Sequence, residues 1–226
     1  MDIPLSYIKP IYPPRIITHD HPEDEDPSIQ ETLENLHLQP HPEGGYFVET
    51  DRDPHHVLNP FRSRTPNAEV GSDATRPAST TIFYFLTPHA PLGAFHRNRA
   101  RTIHTWHRGR GRYVVIHADE ASNNPKEDLG RAKAPIGSFV VGPDVARGER
   151  MQWVVEGGKY KSSFLLPDAP IDDAEDGTDR GSRGLLIAEV VVPGFESADH
   201  DFLRREQMDQ LLTSDQTREL NWMLKS

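Results

Sequence analysis

The chain has no cysteine. Disulfides, thiolate metal ligands and thiol nucleophiles are therefore excluded. No apolar run approaches the roughly 20 residues that a membrane-spanning helix needs. The start, MDIPLSYIKPIYPPRIITHD, lacks a basic stretch followed by an apolar core, so no secretory leader is expected and cytoplasmic is the default location. Also missing are GxSxG, the phosphate loop, a strand-linked GxGxxG and HExxH, which removes several large enzyme classes. No 20–50-residue period repeats, so a solenoid is excluded. Positive charge is scarce: 25 Lys and Arg stand against 35 Asp and Glu, a net charge of -10. That balance argues against general nucleic-acid binding. Apolar residues are only 35 % of the 226, while 20 prolines and 16 glycines mark many turns. One compact domain with polar extensions fits these numbers better than two full domains.

What is present sorts into three parts. Residues 1–26 read as an irregular N-terminal extension, with prolines at 4, 10, 13, 14 and 22 before the acidic run EDED. Residues 27–203 form the main domain, and 204–226 a helical tail. The domain opens with a short helix from Pro27; Ser28 and Glu31 have capping-box spacing, and Ile29, Leu33 and Leu36 supply an apolar stripe. Nine short aromatic and β-branched segments follow, at 45–50, 79–87, 92–96, 102–107, 112–118, 138–141, 151–156, 161–167 and 185–192. So many strands with Gly-, Pro- and Asn-rich joints predict a mainly β fold, closed or sandwiched and antiparallel. Polar stretches at 51–78, 119–136 and 168–184 interrupt it. In the tail, Thr213 and Gln216 repeat capping-box spacing before a second helical turn.

Three stretches carry candidate chemistry. In HPEGGYFVET (41–50), two glycines permit a positive-φ turn at a strand entrance, and Glu43 or Tyr46 could stand at a pocket mouth. A tight strand entry with surface acids explains the same residues. In GAFHRNRARTIHTWHRGRGR (93–112), side chains alternate faces. If Thr102, His104 and Trp106 point into a barrel, His107 points out. His96 could share the interior with His104. Two imidazoles could hold a divalent ion only with a third ligand. Most of the six arginines read as a solvated face; Arg97, beside His96, is the best candidate to hold an anion. In GERMQWVV (148–155), Gln152 could bond a ligand in the barrel or serve a structural hydrogen bond.

Taken together, HPEGGYF, STTIFYFLT, the strand-end His96-Arg97, Gly109 and VVVPGFESADHDF resemble the cupin 5 family from about Leu33 to about Leu203. The resemblance implies an RmlC-like double-stranded β-helix, usually dimeric, with its pocket inside the barrel. It also shows departures. Arg101 and Thr102 stand where the family has an acid and a glutamate, and Met151 and Gln152 lie where metal cupins supply a histidine. Thr102 is a poor substitute for a carboxylate ligand, so no cofactor is expected, with His96, His104 and Gln152 as weak candidates for a metal. The function expected is a cofactor-independent isomerase, epimerase or cyclase in secondary metabolism. Its expected catalytic residues are His96, His104 and Tyr84, and its substrate contacts Glu43, Tyr46, Arg97, Thr102, Trp106 and Gln152. The expected partner is a small molecule, anionic if Arg97 holds it, with neither nucleic acid nor membrane. The alternatives are a metal-dependent oxygenase on His96 and His104, and a ligand-binding module without turnover.

Overall fold

A computed structural model of the chain describes residues 3–13, 25–62, 74–121, 133–168 and 181–225. In chain order the elements are α1 (Pro27–Asn35), β1 (Gln39–Pro40), β2 (Tyr46–Arg52), β3 (His56–Leu58), β4 (Thr75–Pro77), β5 (Thr80–Leu86) and β6 (Leu92–Arg97). They continue with β7 (Arg101–Arg108), β8 (Arg110–Ile116), β9 (Ile136–Val141), β10 (Gln152–Val155), β11 (Tyr160–Leu166), β12 (Leu185–Val192), β13 (Asp201–Phe202), α2 (Arg205–Leu211) and α3 (Ser214–Leu220). All nine strands expected from the sequence are present, with boundaries shifted by up to two residues. The four added strands are two or three residues long, too short to show a period.

The strands form a six-stranded sheet in the order β1-β2-β5-β12-β7-β10 and a five-stranded sheet in the order β13-β6-β11-β8-β9. β3 and β4 make a separate ribbon. Every strand pair is antiparallel. Alternation then decides which side chains meet. Tyr84, Leu86, Trp153, Val155, Leu185 and Ile187 from the first sheet pack with Tyr113, Val115, Val141 and Leu165 from the second. This shared core is the barrel interior.

The outer faces are covered differently. Ile29 and Leu33 of α1 lie on Tyr46 and Phe85 of the six-stranded sheet. The cap of α1 is Asp26, whose carboxylate accepts from Ser28 N, and not Ser28 itself; Pro27 takes the first helical position, where its missing N–H costs nothing. Met208, Leu212, Leu220 and Met223 cover the outer face of the five-stranded sheet at Phe95, Val114, Ile116 and Phe164. Thr213 and Gln216 make the expected reciprocal cap of α3. Ile8, inside the segment expected to be irregular, is fully buried in this same cluster, after a 3-10 turn over Leu5–Tyr7.

Candidate functional site

The barrel interior is not wholly apolar. It holds two groups of buried ionisable side chains. The first gathers around Glu43. The HPEGGY turn needs Gly44 at φ +101°, and a Cβ there would lie 2.1 Å from Leu92 O. Only glycine lets the turn press against β6 this closely. The turn delivers Glu43 into the barrel, where Oε2 lies 3.2 Å from His96 Nδ1 and Oε1 lies 2.8 Å from His200 Nε2. His41 Nδ1 is 3.7 Å from the same carboxylate. The rings of His96 and His200 stack at 5.4 Å. His96 Nδ1 also lies 2.9 Å from Ala94 O. Both neighbours of Nδ1 accept, so this nitrogen carries the proton and Nε2 keeps the lone pair.

The second group joins the two sheets. Lys161 of β11 is the Cα partner of His96 on β6. Its ammonium donates to Glu189 Oε2 at 2.6 Å and to His104 Nε2 at 2.9 Å. Glu189 on β12 and His104 on β7 are themselves Cα partners. His104 has no exposure and stacks on Trp153 at 5.0 Å.

Burial and pairing set the charges. Burial pushes the Glu43 carboxyl up, but His96, His41, His200 and Lys161 together outweigh it and hold it at about 2. Burial lowers His96 to about 4 despite Glu43. Burial also lowers His104, assisted by the Lys161 charge. Glu189 stays well below the usual carboxylate range because Lys161 and His104 outweigh its burial. At neutral pH Glu43 and Glu189 are thus carboxylates, and His96 and His104 are neutral.

The remaining expected site residues divide. Tyr84 faces the interior, but its O–H donates to Gly44 O at 2.7 Å. It holds the Glu43 turn in place, and its proton is engaged there. Thr102 is buried on the inward parity of β7, as expected, and Trp106 is half-buried with its indole N–H on Gly109 O. Tyr46 points the other way, under α1. Gln152 is exposed on the outer face, because Trp153 and Val155 take the inward positions of β10. Arg97 pairs with Asp201 at 3.0 Å and lies over the Tyr160 ring, so its charge is already answered outside the interior. The other five arginines of that stretch also have partners: Asp199, Glu156, Thr32, Glu149 and Ser138.

The family model described as Cupin superfamily (DUF985), Cupin_5, matches residues 30–203. The chain belongs to the Cupin_5 family. The uncharacterized protein YML079W of Saccharomyces cerevisiae is 41% identical over 199 residues, covering 87% of this chain and 86% of the relative. A hypothetical protein from Leishmania major is similar in structure, with a TM-score of 0.63 and 29% identity over 87% of this chain and 98% of the other. The protein SO0799 from Shewanella oneidensis shares the fold at a TM-score of 0.58 and 19% identity, over 86% and 96% of the two chains.

Glu43, His96 and His200 have the residue types of a two-histidine, one-carboxylate set, with one ligand atom each within 4.8 Å of the others. The donors are engaged, however: His200 Nε2 is hydrogen-bonded to Glu43, and the His96 nitrogen that faces Glu43 at 3.2 Å is the protonated one, bonded to Ala94 O. As arranged, the three make a carboxylate-held histidine pair and not an open ligand set. His96 and His104 do not share a ligand position: Lys161 stands against His104, and Gln152 is outside. His117, Asp119 and Glu120 form a second cluster, exposed at both acids and filled by the Lys159 ammonium at 2.9 Å from each of the three.

Lys161, Glu189, His200 and His41 were not among the site residues expected from the sequence. Two of them had a usable signal. A lysine and a glutamate at alternate positions within KSSFLL and LLIAEVVV are costly to bury unless paired.

The close packing at Gly93 and the burial of His96 each have a measurable consequence. A Cβ at Gly93 would lie 2.5 Å from Tyr84 Oη and 3.1 Å from Ser163 Oγ. Gly93→Ala is expected to displace Tyr84 from Gly44 and to cost about 1–3 kcal/mol, read by urea denaturation. The second concerns acid. His96 is lowered on folding from 6.5 to about 4, so its contribution is complete above pH 6.5 and lost as the pH falls to about 4. That loss is about 3 kcal/mol. Glu43, lowered from 4.5 to about 2, contributes above pH 4.5 and loses that contribution toward pH 2. Stability measured by denaturant at successive pH values should therefore decline continuously from pH 6.5 downward, with no plateau near pH 4.5.

Proposed function

We propose that this cupin is a small-molecule enzyme that moves a proton within its barrel, an isomerase, epimerase or cyclase. The observation that carries this reading is the tie of His96 Nδ1 to Glu43 and Ala94 O, which leaves Nε2 as an oriented base. A base held by a third group is the arrangement that nucleophile and proton-transfer sites require. His96 Nε2 takes a proton from carbon, His200 supports the carboxylate from its other oxygen, and Lys161 supplies positive charge one strand away. His104 and Glu189 hold that lysine, and Tyr84 holds the turn that bears Glu43.

A second reading, a metal-dependent oxygenase, draws support from the donor types of Glu43, His96 and His200. One experiment separates the two. Purified protein is incubated in D2O with a panel of α-hydroxy ketones and keto sugars, and deuterium incorporation is followed by NMR before and after dialysis against a chelator. The proton-transfer reading expects incorporation at the carbon beside the carbonyl, unchanged by the chelator. Dioxygen uptake by the same samples, lost on chelation and restored by one divalent ion, with no incorporation, favours the oxygenase reading. No incorporation with any member of the panel rejects the proton-transfer reading for this substrate class.

A further inference from the structure

Inside the barrel the carboxylates outnumber the lysines and arginines. Glu43 and Glu189 face one ammonium, Lys161, and among the described residues no other lysine or arginine lies within ion-pair distance of either carboxylate. Lysine has three N–H donors. Glu189 and His104 accept two, and no third acceptor is found among the described residues. Buried ion pairs are a poor route to stability, because the desolvation of both charges offsets their attraction. A lysine kept in this place with one donor left over is better explained by a ligand oxygen.

We propose that Lys161 is the barrel's resident cation, a tethered counterpart of a metal ion, and that it holds the oxygen of an uncharged carbonyl substrate. The substrate assignment rests on the proton-transfer reading above; the cation assignment does not. Three observations support it. The two groups that grip the ammonium, an imidazole nitrogen and a carboxylate oxygen, are those that a divalent ion would also take. His104 Nε2 and Glu189 Oε2 are 3.5 Å apart, so both converge on one point. Lys161 is also the cross-strand partner of the His96 base. A carbonyl oxygen on Lys161 therefore places the neighbouring carbon toward His96. When His96 Nε2 removes the proton from that carbon, the electron pair moves onto the oxygen. The ammonium then faces a full negative charge where it had faced a neutral acceptor, so it stabilises the enolate more than the substrate. An anionic substrate would instead add a third negative charge beside the Glu43 and Glu189 carboxylates, which share one lysine.

Two measurements test this without turnover. The first compares cobalt(II) uptake by Glu43→Gln with that by the double variant Glu43→Gln, Lys161→Ala, so that the Glu43 cluster does not contribute. Emptying the lysine position is expected to add one cobalt equivalent, bound at least about tenfold more tightly than any in the single variant. Equal uptake by the two overturns the cation assignment. The second uses wild-type protein carrying nitrogen-15 lysine, so it stands even where the double variant fails to fold. The Lys161 ammonium resonance is expected to shift on addition of dihydroxyacetone or acetoin and to stay in place with glycolate. A shift with glycolate alone, or with none of the three, overturns the substrate class. Failure of the exchange assay leaves both readouts intact, so the two readings fail separately.

Discussion

Replacing His96 by alanine is expected to reduce deuterium exchange by about 10²–10⁴-fold, the usual worth of a positioned general base. The loss should fall on kcat, because Nε2 is the atom that meets the reacting proton. Glu43→Gln should give a smaller loss, since the amide still fills the space and can still accept from one histidine. The pH profile separates this from a structural effect. His96 is lowered to about 4 by burial, so wild-type exchange should hold steady through neutrality and fall only as the pH drops through about 4. A midpoint near 6.5 would mean that an exposed histidine does the work. His96→Ala retaining wild-type exchange would remove His96 from the mechanism altogether.

The second large effect is on stability. Arg76 of β4 is buried, and its guanidinium pairs with buried Asp199 while lying 4.9 Å from the Phe61 ring. The same guanidinium reaches Gly194 O. Asp199 immediately precedes His200, so this pair anchors the segment that brings His200 to Glu43. Arg76→Ala leaves the buried Asp199 carboxylate with only the exposed Arg99 at 3.8 Å, and is expected to cost about 3–5 kcal/mol. Urea midpoints measure it. Arg76→Ala combined with Asp199→Ala should cost less than Arg76→Ala alone, because the uncompensated charge is gone. If both variants lose the same amount, the ion pair is not the reason for the loss.

Much of the fold was legible because its strands are written in long aromatic and β-branched runs. STTIFYFLT and LLIAEVVV could hardly be anything else. Parity also separated buried His104 from exposed His107 correctly. It failed at Gln152, where MQWVVE allows either face and the larger apolar gain from Trp153 and Val155 decides. The site was legible at Glu43 and His96, whose flanking glycines and strand end stand out. Lys161 and Glu189 signalled only that each needs a partner, and His200 gave no signal. Their meeting depends on β11 lying beside β6, and on β12 lying between β5 and β7, and no local pattern states which strands become neighbours. Arg97 illustrates the reverse error: a residue adjacent to the site in sequence, and drawn away from it by Asp201 on the neighbouring strand.

Lys161 stands on one sheet, while His104 and Glu189 stand on the other. The ammonium is therefore a strut between the two walls of the barrel. A ligand that takes the strut's spare N–H changes the load on both walls together. Its arrival should slow amide hydrogen exchange in β7 and β12 as well as in β11, although neither β7 nor β12 carries the residue that holds it.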